Sequence, residues 1–189
     1  MAASEPHVRG IVLKVYREVL AELYGVQSAA CIVESLAAET RELWTGMIVA
    51  TEWYPNRLVV DVQETIVRTA YAGDPTRIRE LGIVTAKRDL SGVFKVFLAI
   101  VSPQYVVSKT ASMWSRYYDH GKVQITEQKS GYVRGRFTDV KSFSEAFWNE
   151  ILGSCMGAIE AAGGKSIQAA IVAGGTAKDS SMEAEIRWD

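Results

Sequence analysis

The sequence predicts an α+β domain: N-terminal helices, then a four-stranded antiparallel sheet made of two hairpins separated by a long helix, packed on helices. Three observations carry this. Apolar residues recur at three- and four-residue spacing through most of the first hundred positions. The period then drops to two in paired runs at 122–137 and again at 167–188. Between those runs lies one more helical stretch, from Phe147 to Ile159, with Trp148, Ile151, Leu152, Cys155 and Met156 in it.

Taken in order, residues 1–9 hold Glu5, Pro6 and His7 without an apolar core, and read as a flexible lead rather than a secretory signal. From Gly10 to Tyr24, Val12, Val15, Tyr16, Val19, Leu20 and Leu23 form a helical stripe closed by Gly25. Ser28 is placed to cap a second helix with Ile32, Val33, Leu36 and Leu43 inward. The apolar run at 45–51 is too short for its period to decide, and Trp53-Tyr54-Pro55 must be extended before the proline. A helix then carries Leu58, Val62, Ile66 and Ala70, ending at Gly73-Asp74-Pro75, where Asp74 caps the next one. Ile78 and Leu81 continue inward up to Gly82, and the charged stretch to Arg88 reads as a surface connection. From Asp89 or Ser91 to Val101 the chain is apolar nearly all round, which predicts a central helix.

Ser102 and Pro103 then start an aromatic helix with Val106, Thr110, Met113, Trp114 and Tyr117 on one face. It turns at Asp119-His120-Gly121 into a hairpin in which Val123, Ile125, Val133 and Phe137 alternate with polar residues. Ser142-Phe143-Ser144-Glu145 has the form of a capping box before the long helix, and Gly163-Gly164 stops it. The chain is thus one domain over 1–189, with a helical part at 10–101 and a helix–hairpin–helix–hairpin core at 102–189.

Composition narrows the function classes. With 21 basic and 22 acidic residues and 48% hydrophobic side chains, there is neither a basic footprint for nucleic acid nor the polarity of disorder. No run reaches the ~18 apolar residues of a membrane span. Cys31 and Cys155 each lie in an apolar helical pattern, which predicts buried free thiols and a reducing, cytoplasmic setting.

The element order, with Trp53-Tyr54-Pro55, Tyr117-Tyr118-Asp119-His120-Gly121 and the closing Glu185-Ile186-Arg187-Trp188, resembles a myxobacterial-type paralogous family of small proteins of unknown function. The resemblance covers nearly the whole chain. That family is similar to the superfamily of 4-vinyl reductase-like domains, heme NO-binding domains and core subunits of the TRAPP vesicle-tethering complex. The resemblance implies a non-catalytic fold that holds a small or acyl ligand between helices and sheet, or serves as a dimerising scaffold. Such domains often carry cysteines near the last hairpin, and residues 173–182 have none, which argues against a cysteine-dependent metal or redox role there.

Candidate sites are few. The two histidines, His7 and His120, lie in a terminus and a turn, so heme is disfavoured for want of an axial ligand, and no metal or other cofactor is expected. Gly164-Lys165-Ser166 follows a helix and lacks the first glycine of a phosphate loop, so it reads as a helix stop. No serine sits in a G-x-S-x-G turn. Trp53, Tyr54, Phe94, Phe97, Trp114, Tyr117 and Tyr118 form the one set that suits an apolar ligand pocket, the bland alternative being plain core. Arg134 and Arg136 share a strand face and read as solvated.

Two functions therefore stand. The first is a non-catalytic ligand-binding or signalling-type domain. The second is a homodimeric or hetero-complex scaffold that uses Val15, Val19, Leu36 and Leu43 as its interface. An enzyme would need a cleft with a perturbed carboxylate, lysine or thiol, Cys155 being the thiol to inspect.

Overall fold

The computed structural model describes residues 5–90 and 102–189. Strand β1 (His7–Arg9) pairs antiparallel with β2 (Trp53–Pro55), Val8 opposite Tyr54, so the lead read as flexible is tied into a two-stranded sheet. Between them, α1 (Gly10–Tyr24) buries Leu13, Val15, Tyr16, Val19 and Leu20 and ends at Gly25. There a φ of 79° lets the chain turn at once into α2 (Val26–Glu34), so that helix begins before Ser28.

The second helix also stops earlier than its pattern predicts. Ser35 bonds back to the Cys31 carbonyl through its hydroxyl at 2.8 Å, and a separate α3 (Ala38–Thr45) follows, anchored by buried Trp44 rather than by Leu43. Cys31 is exposed, against the expected burial, because α2 turns only Ala29 and Ile32 fully inward. Val15, Val19 and Leu36 are core residues of this chain and Leu43 packs against that core, so the proposed interface face is already covered from within.

Helix α4 (Asn56–Ala70) faces inward with Leu58, Val59, Val62 and Ile66. Asn56 Nδ2 donates to the carbonyls of Lys141 and Ser142, at 3.2 and 2.8 Å, and fixes the approach to the long helix. Asp74 accepts from the Thr76 amide as expected, opening a 3-10 turn, Pro75–Ile78, that feeds α5 (Arg79–Leu90). This helix runs straight through Gly82, where the sequence predicted a stop and a surface connection. Gly82 is there for packing: a Cβ on it would lie 2.2 Å from the Glu150 carbonyl oxygen. The central helix expected up to Val101, with Phe94 and Phe97, lies outside the described residues.

Ser102 caps α6 (Pro103–Ser108), and Lys109, at φ −97° and ψ −4°, separates it from α7 (Thr110–Tyr117), so the aromatic helix is two short ones. The hairpin β3 (Lys122–Lys129) and β4 (Tyr132–Thr138) turns at Gly131, whose φ is 68°. Then come α8 (Glu145–Ala161), β5 (Gln168–Gly174) and β6 (Met182–Arg187). The sheet order is β3-β4-β6-β5, antiparallel throughout. An α+β fold with two hairpins about a long helix is therefore what forms.

Helix α8 is the hub. It contacts α4, α5 and α6 as well as β5 and β6, most closely α5, and buries Phe147 and Trp148 completely. The Trp148 indole N–H still finds a partner, the Asp179 carbonyl at 3.2 Å. Its N-cap is Ser144, whose hydroxyl accepts from the Phe147 amide at 3.2 Å; Glu145 is the first helical residue, so the S-x-x-E match is not a capping box here. Ser144→Ala is expected to cost about 1 kcal/mol in urea unfolding, and Ser142→Ala to stay within about 0.5 kcal/mol. Equal losses for the two would return the cap to Ser142.

The outer sheet face is charged. Glu183 accepts from Arg136 at 2.8 Å and from Arg134, and these hydrogen bonds hold its carboxyl below the usual carboxylate value. The two arginines are thus ion-paired in a cross-strand network rather than merely solvated.

Candidate functional site

The inner sheet face meets α1, α5, α7 and α8 across a cavity of about 190 Å³. Its origin is legible in the pairing. Gly135 stands between Ile125 and Ala184, so at its own position the sheet face carries no side chain and on one side only a methyl. Across the gap α8 presents Ser154, Cys155 and Ala158, again small. Where these small residues face one another, layers at ordinary spacing leave a hole, and larger apolar side chains, Ile125 and Ile151 among them, complete its wall.

One end of the hole is aromatic. Trp114 stacks on Tyr118 with ring centres 4.3 Å apart, meets Phe137 edge-on at 5.3 Å, and donates its indole N–H to the His120 carbonyl at 2.8 Å. Tyr117 donates its hydroxyl to Asp89 on α5. Trp114, Tyr117 and Tyr118 therefore line the cavity together. Trp53 and Tyr54 do not. Trp53 lies on the surface with the Arg9 guanidinium 4.0 Å over its ring, and the Tyr54 hydroxyl accepts from the Val49 amide at 3.0 Å, closing the loop before β2.

The other polar element is one that sequence reasoning missed. Glu150 on α8 lies in the cavity wall, 3% exposed. Ser154 donates to one of its oxygens at 3.0 Å, and the Gln63 amide reaches the other at 3.5 Å while giving a 2.8 Å bond to the Tyr16 hydroxyl. Burial pushes the Glu150 carboxyl up to about 7, against the opposing pull of hydrogen bonds from Tyr16 and Ser154. The signal was available: Glu150 falls three residues after Phe147 and four before Ser154, on a stripe that a helix buries.

Cys155, the thiol singled out for inspection, also faces the cavity, and burial, then the Glu150 charge, push it up to about 12. It is a protonated, unreactive thiol at neutral pH. Neither histidine reaches the wall. His7 pairs through Nδ1 with Asp119 at 3.2 Å, and His120 accepts the Lys141 amide at 3.1 Å, with its titration lowered by burial.

No family model matches the chain, and no curated protein does. Solved structures do. An Fe(II) unliganded H-NOX protein from K. algicida superposes with a TM-score of 0.66 at 11% identity, covering 96% of both chains. An oxygen-binding H-NOX domain related to soluble guanylate cyclases, in its oxygen complex, gives 0.68 at 13%, over 96% of this chain and 95% of that one. A structure solved to show modulation of heme redox potential through protein-induced porphyrin distortion gives 0.66 at 14%, over 96% and 99%.

At these identities the likeness establishes a shared fold. It supports the heme NO-binding-like branch of the resemblance, and no family or sequence match supports the myxobacterial, 4-vinyl reductase or TRAPP branches. One expectation is overturned. The sequence disfavours heme on the two histidines alone, yet the fold is one whose solved members include a heme study, and thiolate, methionine and tyrosine also hold heme iron. Cys155, Met113 and Tyr117 are on the wall.

Proposed function

We propose that this protein is a non-catalytic ligand-binding domain of the sensor type, with its ligand held between α8 and the inner sheet face. The observation that carries the reading is the apolar cavity with Glu150 set into its wall. Catalysis finds little to work with among the described wall residues: the thiol is protonated, and Glu150 is surrounded by neutral donors with no activated nucleophile beside it. At about 190 Å³ the cavity is smaller than the roughly 300–1,000 Å³ of drug-sized sites, so it suits a compact apolar molecule as it stands.

Heme is a second candidate occupant, since structural neighbours include a heme study and an oxygen-binding H-NOX domain, and its macrocycle of four pyrrole rings would require the cavity of about 190 Å³ to widen. Bound heme would supply an iron position for a small gas. Of the wall residues, Cys155, Met113 and Tyr117 are of the types that hold such iron, and Cys155 would have to give up its proton to do so.

The test is a purified protein measured by native mass spectrometry and visible absorption, before and after adding hemin and small apolar probes. The expected result is a retained molecule or saturable binding that Gly135→Val abolishes. That variant places new carbons on the cavity wall, and its first carbon fits, since a Cβ there meets Ile125 Cδ1 at an ordinary 3.6 Å. A bare mass, no heme absorption and no saturable binding would defeat the proposal.

A further inference from the structure

Resting on the reading of the cavity as a ligand site, we propose that its occupant is a small hydrophobic amine, an apolar body of about one ring whose protonated nitrogen docks on Glu150. Three observations on the wall support this. Its described residues include two carboxylates, Glu150 and Asp89, and no lysine, arginine or histidine. Asp89 already accepts from Tyr117, and it lies seven residues along α5 from Gly82, the glycine packed on Glu150, or about 10 Å at 1.5 Å per residue. Glu150 is the carboxylate left with neutral company.

That company is a second point. Among the described residues, Tyr16 on α1, Gln63 on α4, Tyr118 beyond α7, and Ser154 and Cys155 on α8 are the polar groups around the carboxyl, and none is cationic. Those that titrate, Tyr16, Tyr118 and Cys155, are all shifted upward by burial, so they stay neutral while Glu150 ionises. A buried carboxylate without a counter-charge is costly, and a cation brought by the ligand removes that cost. Trp114 and Tyr118, stacked on each other, give the same wall an aromatic surface for the apolar body.

Size is the third point. An engineered apolar cavity of about 150 Å³ takes benzene, so the volume here of about 190 Å³ leaves room for one ring and a short arm. Fatty acids and other anions meet the wrong sign of charge, and a neutral hydrocarbon leaves the ionised Glu150 without a counter-charge.

Benzylamine and ethylbenzene have equal heavy-atom counts and differ in the charge, so their titration by calorimetry against the wild type and Glu150→Gln is the test. Benzylamine is expected to bind roughly tenfold or more tightly than ethylbenzene at about pH 8, the margin of a charge-assisted hydrogen bond. The margin should close in Glu150→Gln, and in the wild type at about pH 6, where Glu150 holds its proton and the amine keeps its own. Equal binding of both probes, insensitive to pH and to the substitution, overturns the amine while leaving the cavity a ligand site. Saturable hemin binding that displaces benzylamine, with a heme absorption band, overturns the amine in favour of a different occupant. Binding of neither probe nor hemin overturns both readings.

Discussion

Gly153→Ala is expected to destabilise the protein by about 2–3 kcal/mol, and Gly153→Val by more, because the added carbon has backbone on its far side. A Cβ on Gly153 would stand 2.2 Å from the Arg79 carbonyl oxygen and 2.7 Å from the Arg79 Cα. Gly157 meets Ile83 in the same way, at 2.5 Å, and Gly82 returns the contact from α5. None of these neighbours is the tip of a flexible side chain, so the two helices must separate. The sign makes the experiment decisive. Judged by helix propensity alone, Gly→Ala inside a helix gains about 1 kcal/mol. A melting temperature lowered by roughly 5–10 °C fits the packing; one raised by a few degrees would show that α5 and α8 are not this close. The consequence reaches the cavity, since Thr85 and Asp89 on α5 and Glu150 and Ser154 on α8 form adjoining parts of its wall.

These glycines also show where the sequence was readable and where it was not. The stripe from Val12 to Leu23, the proline signals at Pro55, Pro75 and Pro103, and the two alternating runs each report a local preference, and each became the element it predicts. Gly82 reports an absence. An absent side chain in the sequence reads as a stop, while in the fold it is the surface on which another helix lies, and the partner is some seventy positions away. Cys31 was misjudged for a related reason: an apolar pattern does not fix the phase of a short helix, and α2 turns Ala29 and Ile32 inward and leaves Cys31 exposed. The cavity was half legible. Trp114, Tyr117 and Tyr118 stood out as aromatics, but its shape depends on Gly135 facing Ala184, a register that only the paired strands reveal. Glu150 stayed hidden because a glutamate on a long helix is ordinarily solvated, and only its place on the Phe147 stripe marks it as buried.

That burial should be measurable as a pH dependence of stability opposite in direction to the common one. The Glu150 carboxyl lies near 4.5 in an unfolded chain and is raised to about 7 in the fold. Between those values the unfolded chain has released the proton and the folded one still holds it, so raising the pH favours unfolding. Stability is expected to fall by about 3 kcal/mol from about pH 4.5 to pH 7.5, at 1.36 kcal/mol per pH unit, and to level off above that. Glu39, Asp74, Glu127, Asp179 and Glu183 are shifted downward by their hydrogen bonds and ion pairs, so their contributions are lost only as pH drops below the usual carboxylate range. The two effects occupy different windows. Urea unfolding of the wild type and Glu150→Gln across this interval separates them: the wild-type curve should slope downward with pH while the variant stays flat, the gap widening toward neutrality. Parallel curves would mean that the carboxyl titrates as if in water, and the charged floor of the cavity would then be solvated. A flattened wild-type curve on adding benzylamine would show the ionised carboxylate relieved by its counter-charge, because a bound ammonium stabilises the deprotonated form that burial otherwise penalises.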